Sequence, residues 1–591
     1  MARSGDTGLK GVVMKACAFK RSSPPAKGHC WAWPVGILSA VLLVAPAFSV
    51  QVSDQKSAKA PTIRKSTPAL GGSSDGEIIQ GINSKLAEKW KENKLTPSSH
   101  VSDHEFIRRA SLDIIGRIAT PKEISDFLKD PEATRRARLI DRLLNTKEYA
   151  SNWANIWTVL LMTRSGATEG ATRIYHEQMH QWLEDEFTTN KSWKEITINL
   201  LAATGKTNEN GAVNYVLSQL GEPVAPDTNE GMYTMVPITS RTTRLFLGVQ
   251  TQCTQCHDHP FNPGKQQNFW GINAFFRQVS APKGRPDTTA RAMARPLELT
   301  DNLQLNPTGV IFYETRKGLV LPSKPVFFLD KFKLPDPGTN RRQELARLIT
   351  QNPSFGKAYV NRMWLHFFGR SFTNPVDDFG EHNEPSVPEL LDELSSEFVH
   401  YGYDSKRLIR WICNSDAYNL STVANKSNEK SDVEPLFGRM LLKALTPEQL
   451  FESLIVATQA EMFESKDNRK KLREKWMKDL TANFGDDEGN EVTFNGTVVQ
   501  ALMMMNGSDL NGAISSKEKG TVALTYVTKK TPKAIMDHLY LTALNRLPTP
   551  NESERILRIV RSAPVKSKDG LSMWQDLFWA LLNSNEFVLN H

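Results

Sequence analysis

Residues 79–90, Ile79-Gln-Gly-Ile82-Asn-Ser-Lys-Leu86-Ala-Glu-Lys-Trp90, set the reading of the chain. Large apolar side chains return every three or four residues with polar residues between them, the period of one helix face. The same grammar recurs downstream. Ser102 with Glu105 and Thr120 with Glu123 are capping boxes, in which each side chain satisfies the other residue's free backbone N–H. Pro121 takes the first helical position, where a missing N–H is harmless. Thr446-Pro447 with Gln449 and Thr549-Pro550 with Glu552 repeat this start signal. Trp153 with Trp157, and Leu390, Leu391, Leu394 and Phe398, fall on single helix faces and are expected in the core. The fold class is therefore expected to be mainly α and multi-helical.

The exception lies between residues 280 and 335, rich in proline, glycine and arginine. Gly309-Val-Ile-Phe-Tyr313 and Leu319-Val-Leu321 flank a turn at Arg316-Lys317-Gly318, which predicts a small β-hairpin. The domain junction is placed beside it, giving domains at 76–335 and 336–591. A chain of 591 residues suggests roughly two to four domains, at ~100–200 residues each. The charged stretch 465–490 reads as a surface loop.

The formal charge is +8, but it is unevenly placed. Residues 1–47 hold six basic side chains and one acidic; the rest holds 67 basic and 64 acidic. The basic leader precedes an apolar run from Trp31 to Val44 and then Ala45-Pro46-Ala47, the pattern of an export signal. Residues 48–75, rich in Ser, Pro, Gly and Lys, read as a flexible tether. The run is shorter than the ~20 residues of a membrane span; an uncleaved anchor is the alternative to a cleaved signal. The expected location is exported, periplasmic or cell-envelope, with no membrane span in the mature chain. A near-neutral body gives no reason to expect nucleic acid, and Asn361–Arg370 reads as a packed helix ending at Gly369.

Of five cysteines, Cys17 and Cys30 lie in the leader. Cys253-Thr-Gln-Cys256-His257 is the attachment pattern of c-type haem. Two intervening residues let both sulfurs reach the vinyl groups of one porphyrin, and His257 can turn to the iron as proximal ligand. Met293 and Met503-Met504-Met505 are candidate sixth ligands; five-coordinate iron is equally open. Two alternatives remain: a plain disulfide, or a zinc or iron ion held by thiolates with His257 or His259. A competing motif, His176-Glu177-Gln178-Met179-His180, has the zinc-peptidase spacing, with Glu177 as general base. Glu195 and Glu209 are its candidate third ligands. The competing reading is a helix face with Trp182, Leu183 and Phe187 turned inward.

Phe106-Ile-Arg-Arg-Ala-Ser-Leu-Asp-Ile-Ile-Gly116, Arg138–Leu144, Tyr149–Trp153, Leu245-Phe-Leu-Gly-Val-Gln-Thr-Gln-Cys253 through Phe261, and Ala274-Phe-Phe276 resemble a cytochrome-c-like domain of unknown function found in exported planctomycete proteins. Arg341-Arg-Gln-Glu-Leu345, Val360-Asn-Arg-Met-Trp364, Phe368-Gly-Arg370, Asn374-Pro-Val-Asp-Asp-Phe379, Pro388–Leu391, Ser415–Tyr418 and Ala580–Phe587 resemble the planctomycete-specific domain that accompanies it. The resemblance implies haem residues at Cys253, Cys256 and His257, and nothing catalytic. After the histidine pair, Asn262-Pro-Gly-Lys265 departs from the acidic or lysine-containing stretch of many relatives. The expected function is haem c-dependent electron transfer or redox sensing with an unidentified redox partner. The alternatives are a cell-envelope interaction protein with a structural or metal-binding Cys/His site, and a zinc peptidase.

Overall fold

In the computed structural model the first helix, Asp75–Glu92, opens on a capping box of Ser74 with Glu77, a start signal that the apolar spacing alone does not reveal. It buries Ile78, Ile82, Leu86 and Trp90, a strict four-residue repeat, whereas Ile79 lies partly buried at the margin of the stripe. The structure describes residues 73–163, 175–260, 264–281, 296–328, 338–459, 471, 508–562 and 570–591. The leader, almost all of the tether, Met293, Met503–Met505 and nearly all of 465–490 lie outside them. The described residues belong to the compact unit Ser66–His591.

The fold is mainly α, as expected. The capping boxes of Ser102, Thr120 and Thr446 form with their N3 partners. Thr549 and Glu552 exchange the same pair of hydrogen bonds. The helix Pro353–Phe368 ends at Gly369 in the left-handed conformation, and Trp364 within it is fully buried. Trp157 stacks on Tyr359, which stacks in turn on Phe398, with centroids 5.7 and 5.0 Å apart.

Extended structure is slight among the described residues. β1 (Gly205–Lys206) and β2 (Val279–Ser280) both pair antiparallel with β3 (Glu298–Asp301). The expected hairpin is present as β4 (Ile311–Glu314) and β5 (Val320–Ser323), in the register Tyr313 opposite Leu321. β6 (Lys443–Ala444) pairs with β7 (Leu589–Asn590).

Two hydrophobic cores result. The first runs from Ile78 to Met440 and mixes residues from both sides of position 335, such as Phe276 and Leu299 with Leu345 and Trp364. The second gathers residues from Leu445 to Val588 and adds Leu112 and Ile118 from near the N-terminus. The helix Asp103–Ile115 serves both, and every residue from Phe106 to Ile115 is buried. A helix enclosed on all sides must find internal partners for its charges. Arg108 donates to the carbonyls of Ala543, Glu586 and Phe587, and Arg109 to those of Tyr418 and Leu420. The motif that carries the family resemblance is thus a joint between the two ends of the chain.

Candidate functional site

The helix Val236–Leu247 carries the chain to the cysteines and stops at Gly248, whose φ of 65° suits glycine. A Cβ there would lie 2.5 Å from the Phe379 ring. The Phe379 N–H donates to the Gly248 carbonyl at 2.8 Å, which binds the loop to the second half of the chain. Asp377, almost fully buried, completes the clamp by accepting from Arg244 Nε at 2.6 Å and Gln250 Nε2 at 2.8 Å. Gly248→Ala is therefore expected to cost about 1–3 kcal/mol in urea unfolding. Faster hydrogen exchange at residues 374–383 should accompany it.

Beyond the clamp, the Thr251 carbonyl accepts from both the backbone N–H and the hydroxyl of Thr254, and Gln252–Gln255 forms a single 3₁₀ turn. Three residues per turn bring positions i and i+3 to the same edge. Thr254 points inward, and Cys253 and Cys256 are exposed and unbridged. The Gln255 carbonyl is held by Gln266 Nε2 at 3.1 Å and Trp270 Nε1 at 3.0 Å. Gln266 Nε2 also reaches the Glu314 carbonyl, and Trp270 stacks on Tyr313, so the hairpin braces the turn.

His257 Nδ1 lies 2.6 Å from the Asp258 carbonyl oxygen. A carbonyl only accepts, so Nδ1 is the donor, and Nε2 is the nitrogen that can carry the lone pair. Asp258 accepts from the Gln266 N–H and from Lys265 Nζ; the backbone bond first, then the lysine, hold its carboxyl below the usual range. The His259 N–H donates to the Gly264 carbonyl, and its ring lies 5.6 Å from that of His382. Burial lowers the His259 pKa, and the neighbouring His382 and His257 push the same way against Asp378. His382 Nε2 is 3.0 Å from Asp378 Oδ2. Phe261 lies outside the described residues.

The structure thus gathers Cys253, Cys256, His257 and His259 on one loop, and adds two residues that the sequence reading missed, Asp378 and His382. Their signal was local: a carboxylate four residues before a histidine, just after the Asn374–Phe379 motif. The His176 motif has other surroundings. His176 Nε2 bonds to the Thr163 carbonyl and His180 Nε2 to that of Ser151. Leu183 and Phe187 face the core. Both imidazoles brace their helix against the neighbouring one, His180 on the helix Lys147–Met162 itself and His176 on its C-cap, Thr163. Glu195 is exposed, and Glu209 pairs with Lys206. Among the described residues, no three His, Cys, Asp or Glu side chains gather closely enough to hold a metal ion.

Fold and site define a mainly helical protein in which two sequence modules share one core and meet at a cysteine–histidine loop. Residues 81–281 match PSCyt2, described as a protein of unknown function (DUF1549), and residues 341–560 match PSD1, described likewise (DUF1553); the chain belongs to this two-domain family of unknown function. No curated protein and no solved structure matches it.

Proposed function

We propose that the protein is exported and carries a c-type haem on Cys253 and Cys256, with His257 as proximal ligand, for electron transfer or redox sensing in the cell envelope. The observation that carries this reading is the pair of exposed, unbridged thiols, Cys253 within the 3₁₀ turn and Cys256 at its C-cap. His257 supports it: an imidazole whose Nδ1–H is committed to a carbonyl is fixed in tautomer and orientation, the usual arrangement of a metal-ligating histidine. When bound, the haem would supply a one-electron redox centre. The chain's own part is to fix the turn through Thr251 and Gln266 and to aim His257. The basic leader and apolar run of residues 1–47 agree with attachment outside the cytoplasm.

Co-expression with a haem-maturation system is the test. The expected result is one covalent haem per chain, seen as a pyridine haemochrome, lost in Cys253→Ala and Cys256→Ala. Haem-free wild-type protein recovered from the exported fraction overturns the reading. The envelope interaction protein with a structural or non-haem metal-binding Cys/His site then stands first, since thiolate and imidazole are the ligand types of zinc and iron.

A further inference from the structure

The short pair of β6 and β7 sets Lys443 directly opposite Asn590. Residues facing each other across an antiparallel pair have Cβ atoms about 4.5–5.5 Å apart. Here both side chains turn to the same atom. Asp113 Oδ1 accepts from Lys443 Nζ at 2.6 Å and from Asn590 Nδ2 at 2.7 Å. A primary amine and a carboxamide thus meet at one buried carboxylate. We propose that Lys443 and Asn590 become joined by an isopeptide bond, formed by the folded chain itself with Asp113 as the proton carrier.

An amine attacks an amide when it can shed its proton, is held beside the carbonyl carbon and is kept from water. Burial lowers the Lys443 pKa against the pull of Asp113, so the ammonium gives up a proton more readily. Lys443 Nζ also donates to the carbonyls of His366 and Phe367, which fixes the amine beside Asp113. Asn590 is buried, and its Oδ1 has no hydrogen-bond partner, so the amide carbonyl is not engaged elsewhere. The Tyr418 hydroxyl donates to Asp113 Oδ2 at 2.8 Å and holds the carboxylate between the two reactants. The buried rings of Tyr418 and Phe367, in edge contact at 5.9 Å, screen the cluster from bulk water.

The step balances without a co-reactant. Nζ passes a proton to Asp113, and its lone pair forms the bond to Asn590 Cγ. Asp113 hands that proton to Nδ2, relays a second from Nζ, and the Cγ–Nδ2 bond breaks. Nδ2 departs as ammonium with the charge that Lys443 brought, and Asp113 ends as the carboxylate it was. The ion pair of Lys443 with Asp113 is the state before reaction.

Peptide mapping by mass spectrometry tests this on the full chain, purified folded and digested after denaturation. The expected product is a peptide that links residues 443 and 590, about 17 Da lighter than its two parts together through the loss of ammonia. Lys443→Met and Asn590→Ala should yield none. Asp113→Asn keeps the shape of the side chain but cannot carry the proton, and should lower the linked fraction about tenfold or more. Thermal melting followed by circular dichroism verifies that the variants fold. Folded wild type in which residues 443 and 590 appear only in separate peptides overturns the proposal, whatever the variants do. So does an Asn590 converted to aspartate in place of linkage, or a folded Asp113→Asn protein linked as fully as wild type.

Discussion

Asp113→Ala is expected to remove about 3–5 kcal/mol of stability, the range for breaking a buried ion pair by deleting one partner. Asp113 is buried on the enclosed helix Asp103–Ile115. Its carboxylate accepts from Lys443 Nζ at 2.6 Å, Tyr418 OH at 2.8 Å and Asn590 Nδ2 at 2.7 Å. Those partners come from three distant parts of the chain, including both strands of the β6–β7 pair. Lys443 also donates to the carbonyls of His366 and Phe367, and burial already lowers its pKa. Alanine would leave the Tyr418 phenol without its acceptor and the buried Lys443 ammonium without its counter-charge, both facing a cavity. Urea unfolding measures the loss. The double variant Asp113→Leu/Lys443→Met should recover much of it, because removing both charges also removes their desolvation cost. A single variant within 1 kcal/mol of wild type would show that the cluster is not what joins the two cores.

Most of the helical architecture was legible because helix period and capping are local. Ser102 with Glu105, or Thr446 with Gln449, states its own hydrogen bonds within four residues, and the turn at Arg316–Gly318 states the hairpin. The stripe of the first helix was read one residue out, at Ile79 in place of Ile78. Adjacent isoleucines both fit a 3.6-residue period, and only the neighbouring helices decide between them. The cysteine motif was legible for the same local reason. Asp378 and His382 were not: their meaning depends on a contact with residues more than a hundred positions earlier, made through Asp377 and Phe379. Likewise Arg108, Arg109 and Asp113 look like the polar face of an amphipathic helix until the second core covers that face. The spacing of His176 and His180 was equally plain, but spacing cannot show that both rings meet main-chain carbonyls.

The second large effect is expected at Arg342, at the start of the second module and fully buried. Its guanidinium makes a two-pronged pair with Asp301, Nε to Oδ1 and Nη2 to Oδ2, both at 2.7 Å. It also donates to the carbonyls of Leu201 and Ala203, both at 2.9 Å. One side chain thus ties the helix Arg341–Gln351 to β3 and to the end of the helix Trp193–Ala202. A lysine keeps the charge but offers a point donor in place of a planar fork, so Arg342→Lys leaves several of these acceptors unpaired. The expected loss is about 3–5 kcal/mol, with faster hydrogen exchange at residues 201–206 and 298–301. The same helix supplies a control. Arg347 pairs with Glu344 at an exposed position, and Arg347→Ala should stay within about 0.5 kcal/mol of wild type, as surface ion pairs do. Equal costs at the two positions would mean that helix propensity, and not the buried fork, sets the stability of this joint.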